Sequence, residues 1–353
     1  MKLHNVADYE AAAAERLDPG AYGYYAGGAG DEVTLRDNVD AYRRWQLRPR
    51  VLVDVEGASA ATMVLGREVS MPVLVAPMAY QRLAHPDGEV AMAQAVAAAG
   101  TIMCLSTLAT SSAADVAATG VPRWFQLYVF RDAGVTRQLV DQARDNGFEA
   151  LVVTVDAPVL GHRERDVRIG FTIPHDMPVP ALGRGGMTPV EALALMSRSL
   201  TWADIGAFAE SAGLPVIVKG ILTAEDARLA CEHGAAGLVV SNHGGRQLDG
   251  VAATIDALPE VVEAVDGRIE VLVDGGIRRG GDVIKALALG ARAVLVGRAA
   301  LWGLVVGGEE GARNVLELLH EEITLALQLV GARTPADLTA AHVQERRRLP
   351  PLT

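Results

Sequence analysis

The chain has 353 residues, half of them hydrophobic and 21% charged, with a formal net charge of −11. That balance excludes an intrinsically disordered chain and leaves no basic footprint for nucleic acid or an anionic membrane. The length fits two domains or one α/β barrel.

Residues 1–9 carry Lys2, His4 and Asp8 with no apolar run behind them, so no leader peptide is expected. Residues 5–18 have helical spacing, 20–30 concentrate glycine and tyrosine in what reads as one loop, 31–47 resume a charged helix, and 48–69 read as an extended connector. From residue 71 a unit repeats: a β-branched run, a Gly, Pro or Ser turn, then an Ala-rich helical stretch. Eight such runs occur, at 72–76, 101–105, 124–128, 150–155, 215–219, 237–241, 270–274 and 293–297, with helices such as 134–146, 223–233 and 281–289 between them. Strands apolar on both faces and separated by helices indicate a parallel sheet, and eight of them indicate a closed (β/α)8 barrel, with an open doubly wound sheet as the second choice. The whole chain, 1–353, reads as a single domain with its barrel at about 71–330.

One connection, 157–214, is much longer than the rest and contains a Pro- and Gly-rich stretch at 174–189 before a helix at 201–212, which suits a lid over the barrel mouth. The longest weakly polar run, about 95–105, is interrupted by Gly100 and Thr101 and is too short for a membrane span, which needs about 18 apolar residues. The final Pro351-Leu352-Thr353 is not a Ser-Lys-Leu type address. Cys104 and Cys231, inside separate apolar runs, suit reduced thiols in a cytoplasmic protein.

A barrel assembles its active site at the C-terminal ends of its strands. Polar or reactive residues fall there run after run: Met78 and Ala79, Ser106, Gln126 and Tyr128, Thr154 and Asp156, Lys219, Ser241 and His243, Asp274-Gly275-Gly276, and Gly297-Arg298. The seventh and eighth ends, with Arg278 and Arg298, read as a phosphate site, because glycines admit backbone N–H groups, a following helix adds its positive end, and Arg adds charge-assisted hydrogen bonds. Lys219 closes an apolar strand, where an idle lysine would be expensive to bury; it is either a Schiff-base former or a fixed charge beside an anionic cofactor. His243 and Arg246, three residues apart on a glycine-hinged turn, suit proton transfer beside an anion clamp, with Asp156 able to orient the imidazole. His85, His162, His175, His233 and His243 show no close spacing with carboxylates that would mark a metal site.

The stretch Ser241-Asn242-His243-Gly244-Gly245-Arg246-Gln247-Leu248-Asp249 resembles the signature of the FMN-dependent (S)-2-hydroxy acid oxidase and dehydrogenase family. The likeness runs along nearly the whole chain, through Tyr22 to Gly28, Ala76-Pro77-Met78-Ala79, Ala109 to Ser112, Phe125 to Tyr128, Thr154-Val155-Asp156, Val218-Lys219-Gly220 and Asp274 to Gly280. It implies FMN as cofactor, a 2-hydroxy acid and O2 as small-molecule partners, and a homo-oligomer, tetramer or octamer. It implies His243 as the base, Asp156 as its partner and Lys219 beside flavin N1. Tyr24, Tyr128, Arg163 and Arg246 would hold substrate. Pro77, Met78, Ala79, Ser106, Gln126, Thr154, Lys219 and Ser241 would lie along the ring system, with Asp274, Gly275, Gly276, Arg278, Gly297 and Arg298 at the phosphate end.

Ala79 is similar to the small residue of the oxidases, where a dehydrogenase pattern has glycine, which implies O2 as acceptor and H2O2 as product rather than a quinone or cytochrome. Leu108 stands where glycolate-oxidising members carry Trp, and Ala79-Tyr80-Gln81-Arg82 resembles hydroxymandelate oxidases. An aryl substrate such as mandelate or 4-hydroxymandelate is the expectation, with glycolate or lactate as the alternative. The insertion at 171–200 lacks the amphipathic basic segment of a membrane-bound member. Outside the family, a phosphate-binding lyase or isomerase working through Lys219 is the competing class.

Overall fold

The computed structural model describes residues 3–185, 191 and 194–346. Three helices come first, α1 (Val6–Arg16), α2 (Pro19–Ala26) and α3 (Val33–Asp40). The eight apolar runs then form parallel strands β1 (Val73–Val75), β2 (Met103–Ser106), β3 (Arg123–Leu127), β4 (Leu151–Thr154), β5 (Val216–Ile221), β6 (Gly237–Val240), β7 (Glu270–Asp274) and β8 (Ala293–Val296). Each pairs with its neighbours in chain order, and β8 pairs with β1 (Val294 beside Val73, Val296 beside Val75), so the sheet closes into the expected (β/α)8 barrel. An open sheet is excluded by that last pairing. Around it lie α4 (Gly88–Ala98), α5 (Ala113–Ala117), α6 (Ala133–Asp145), α7 (Glu164–Ile169), α8 (Trp202–Ser211), α9 (Ala224–Glu232), α10 (Thr254–Val265), α11 (Gly280–Ala288) and α12 (Arg298–Val330), the last kinked at Gly307 and Gly308.

Strand side chains alternate, so each strand sends one set of residues inward and the other against the helices. Leu74, Cys104, Trp124, Val152, Ile217, Val239, Leu272 and Leu295, one from each strand, pack together inside the barrel. Their sequence neighbours, such as Val73, Val75, Met103 and Val218, join the larger core between strands and helices. The next inward position on each strand is two residues further on: Ala76, Ser106, Gln126, Thr154, Lys219, Ser241, Asp274 and Gly297. An apolar plug therefore carries a ring of mostly polar residues on its C-terminal side.

Three local readings change. The glycine–tyrosine stretch is helical through Ala26, because the Asp18 carboxylate accepts from Gly20 N–H at 2.8 Å and Pro19 presets the first turn. Its glycines serve close packing, since a Cβ on Gly20 would lie 2.3 Å from the Phe171 ring and one on Gly23 2.9 Å from Ile169. The helix expected over 31–47 stops at Asp40. A 3-10 turn follows, and Trp45–Leu47 pairs antiparallel with Val343–Glu345, Arg44 being held by Asp37 and Asp256. Within the connector, Thr62–Val64 and Arg67–Val69 form a hairpin around Leu65-Gly66, both at positive φ, and Val64 and Val69 cover the plug from below.

The long insertion carries α7 and a short antiparallel pair, Pro178–Val179 with Arg184–Gly185, then returns to the barrel where Met196 bridges Phe130. Part of the 174–189 stretch, residues 186–189, lies outside the described residues, as does the terminal tripeptide 351–353. Among the described residues no helix is long and apolar enough to cross a membrane.

Candidate active site

The polar ring forms the floor of one cavity of about 1220 Å3, counting its open mouth. From β1 to β4 it is lined by Pro77, Met78 and Ala79, by Ser106, by Gln126 and Tyr128, and by Thr154. Lys219, His243 and Arg246, Asp274 to Arg278, and Gly297 with Arg298 complete the circuit, and Tyr24 and Arg163 reach in from α2 and from the loop before α7. Two expected site residues do not line it. Asp156 stands behind His243, and Ser241 is fully buried under Lys219.

The His243 Nδ1 lies 2.9 Å from Asp156 Oδ1, and a carboxylate there requires Nδ1 to carry the proton, leaving the Nε2 lone pair free as a base. Burial lowers the imidazole pKa; Asp156 opposes that shift and Lys219 adds to it, so the ring is neutral at neutral pH. His243 sits in the left-handed region at φ 58°, unusual for a residue with a Cβ, and its N–H donates to Ser241 Oγ at 3.1 Å. Gly244 and Gly245 continue in the same conformation, and a Cβ on Gly245 would meet Leu35 N at 2.6 Å.

Lys219 Nζ donates to Ser241 Oγ at 2.9 Å and lies 3.3 Å from Asp274 Oδ2. Burial works against its charge, but the carboxylates of Asp274 and Asp156 outweigh burial and hold its pKa above the ordinary lysine value. An ammonium held protonated is no nucleophile, so the geometry favours the fixed charge over the Schiff base. Tyr128 is pushed up to about 12, by burial first and Asp156 second, and stays a hydrogen-bond donor.

Burial pushes Arg246 down to about 10 and Arg298 down to about 9, each with another guanidinium adding to the shift, and burial lowers Arg278 as well. Cations so crowded favour anions. Arg246 spends only Nη1 on carbonyls, those of Tyr24, Tyr25 and Gly27. Arg298 spends Nε, Nη1 and Nη2 on Tyr25, Gly244 and Gly27, so its side chain braces the end of α2. The positive helix end expected after β7 is also taken: Arg278 and Arg279 N–H donate to Asp282, and Gly280 N–H donates to Glu322. The Arg278 guanidinium, which donates from Nη1 to Ile277 O at 3.1 Å and has Nε 3.8 Å from Glu10, keeps Nη2 for a phosphate beside the start of α12.

The fit to a flavin nucleotide rests on polar atoms the protein leaves over. Gln126 Oε1 accepts from Ser106 Oγ and Thr107 N–H, while its buried Nε2 has no partner; nor has Asp274 Oδ1. A donor and an acceptor at the floor, with cations at one end, suit a ring system edged by carbonyls and N–H groups and a phosphate tail.

The N-terminal segment locks the signature loop in place. Asn38 and Asn242 exchange amide hydrogen bonds at 2.8 Å each way, Asp249 caps α3 through Val33 and Thr34 N–H, and Ala29 N–H donates to Gly245 O. Gln247 donates to the carbonyls of Asp156 and Val159, tying that loop to the one carrying Arg163. Sequence reading missed Tyr25, Leu160, Met196 and Gln247 as cavity residues. Leu160 and Met196 come from the insertion, where no motif marks them; Tyr25 was hidden by the loop reading.

Gly220, at φ 120° in a bulge of β5, lets Asp156 approach: a Cβ there would lie 2.7 Å from Asp156 Cβ. Gly220→Ala is expected to lower kcat about 10²-fold, as displacements near 1 Å do, with the flavin spectrum unchanged. Wild-type kcat would remove Asp156 placement from the account.

The model of the FMN-dependent dehydrogenase family matches residues 13–345. The chain is similar to glycolate oxidase 3 of Arabidopsis thaliana, 48% identical over 355 residues and covering 98% of this chain and 96% of that one. It is also similar to L-lactate oxidase of Nostoc sp. (strain PCC 7120 / SAG 25.82 / UTEX 2576), 48% identical over 355 residues with 95% and 96% covered. Among solved structures it matches mandelate oxidase with (S)-4-hydroxymandelic acid at a TM-score of 0.90 and 44% identity, covering 97% of this chain and 99% of that one.

Proposed function

Because the chain belongs to the FMN-dependent dehydrogenase family, with FMN as its cofactor, we propose that it oxidises (S)-2-hydroxy acids to 2-oxo acids, with O2 as acceptor and H2O2 as product. The observation that carries this is the His243 imidazole, its Nδ1 2.9 Å from Asp156 Oδ1, inside a cavity that also holds Lys219 and guanidinium groups. When bound, FMN supplies the two-electron acceptor that the protein's own side chains lack.

His243 Nε2 takes the substrate hydroxyl proton, and Asp156 stabilises the imidazolium that results. Arg246, with Arg163 and Tyr24, binds the substrate carboxylate; Arg163 and Arg246 both stack over the Tyr24 ring, at 5.9 and 5.0 Å. Tyr128 donates to the substrate oxygen. Lys219, held by Ser241, would place its positive charge beside the bound cofactor and stabilise negative charge there. Gln126, Ser106 and Thr154 would hold the ring system, and Arg278 with the start of α12 would hold the phosphate. The same reading places the enzyme in the cytoplasm as a homo-oligomer.

Aryl acids are the proposed substrates. Leu108, buried in the wall, leaves room where an indole would fill the pocket, and its loop is fixed by Tyr80 N–H donating to Leu108 O at 3.1 Å. Glu89 ties the two wall loops together by accepting from Gln81 and Thr110 N–H. Mandelate is expected to show a higher kcat/KM than glycolate, with O2 consumed and H2O2 formed in equal amounts. A large preference for glycolate would overturn the aryl reading, and turnover only with a quinone or cytochrome would overturn the oxidase.

A further inference from the structure

Beside the main cavity lies a second, of about 890 Å3 counting its mouth, under the insertion and α8. Leu200, Trp202, Ile205, Val155 and Ile221 are among its lining residues, and Arg198 and Asp226 border it as well. The two cavities share four wall residues, Tyr128, Thr154, Ala157 and Met196. The first two stand at the ends of β3 and β4, and Ala157 offers only a methyl group with no rotamer to change. Met196 alone has a long unbranched side chain. Its backbone is pinned on both sides, Arg131 N–H donating to Leu195 O at 3.0 Å and Ser197 N–H donating to Val129 O at 2.8 Å. A buried thioether hung from a fixed backbone can change rotamer without the insertion lifting away.

We propose that Met196 is a specificity-determining residue: it closes the substrate chamber against the second cavity and so sets how long a 2-hydroxy acid side chain the enzyme takes. The proposal rests on the reading of the main cavity as a 2-hydroxy acid site. Chains longer than the phenyl group of mandelate extend past Met196 into the second chamber, whose Leu200, Trp202, Ile205 and Ile221 suit alkyl or aryl ends. Each methylene that enters is worth about fourfold in affinity.

The test compares wild type, Met196→Ala and Met196→Phe on L-lactate and 2-hydroxyoctanoate. Met196→Ala is expected to raise the kcat/KM ratio of the long acid over the short one by about tenfold or more, and Met196→Phe to lower it. A second readout follows tryptophan fluorescence during titration with 2-oxooctanoate or pyruvate, in the parent and in Trp202→Phe. Trp202 borders the second chamber and not the first. The long acid alone should give a signal that Trp202→Phe loses. Ratios unchanged in both Met196 variants, or equal Trp202 signals from both acids, would overturn the proposal. Length-dependent Trp202 signals in a protein that oxidises no 2-hydroxy acid would uphold the partition and overturn the reaction assigned to the main cavity.

Discussion

Replacing His243 with alanine is expected to leave FMN bound and to slow its reduction by substrate about 10²- to 10⁴-fold, the range a positioned base contributes. Its backbone N–H still reaches Ser241, and the imidazole makes only one hydrogen bond, to Asp156, so the cost falls on chemistry rather than on cofactor binding. The pH profile separates this from a general loss of shape. Protonation removes the Nε2 lone pair, and because burial lowers the pKa the neutral form persists to lower pH than in an ordinary histidine. The acid limb of wild-type kcat/KM should therefore lie below about pH 6.5, and the residual rate of His243→Ala should lack that limb. Rapid mixing under anaerobic conditions measures both. A variant reducing FMN at the wild-type rate would remove His243 from the mechanism.

Lys219→Met is expected to act on two quantities at once. Loss of the positive charge at the cavity floor should slow flavin reduction about 10²- to 10³-fold, as removal of one donor aimed at developing charge does. It also leaves the buried carboxylate of Asp274 without its partner, a change worth about 3–5 kcal/mol of stability. The double variant Lys219→Met with Asp274→Asn separates the effects, because it removes the orphaned charge and should recover most of the stability while the rate stays low. Urea unfolding and anaerobic reduction of the same preparations supply the comparison. A double variant that regained the rate would show that Lys219 acts only through folding.

The barrel was legible because its strands are apolar on both faces and its helices are not, a contrast that survives without any tertiary information. The ring at the cavity floor was legible for the same reason: once Leu74, Cys104, Trp124 and their counterparts face inward, residues two positions on must follow. What could not be read was how polar groups are shared out between distant segments. Arg298 looks like a phosphate ligand in sequence, yet the carbonyls of Tyr25, Gly27 and Gly244 take up its side chain. Glycines at 275 and 276 suggest an anion loop; a Cβ on Gly276 would lie 1.8 Å from Asn38 O, so the docking of α3 demands the glycine too. Ser241 lies in the signature motif but serves Lys219 and His243 from beneath. The walls supplied by Leu160 and Met196 depend on where the insertion returns, which a bridge to Phe130 decides and no local pattern announces.

The central claim, a flavin cavity in which a neutral His243 opens the oxidation of a 2-hydroxy acid, is tested most directly by the absorption spectrum of the purified protein before and after anaerobic addition of (S)-mandelate. A yellow protein whose flavin bands bleach within the mixing experiment is the predicted result. A protein that takes up no FMN, or bound FMN that stays oxidised with (S)-mandelate, glycolate and L-lactate alike, would contradict it.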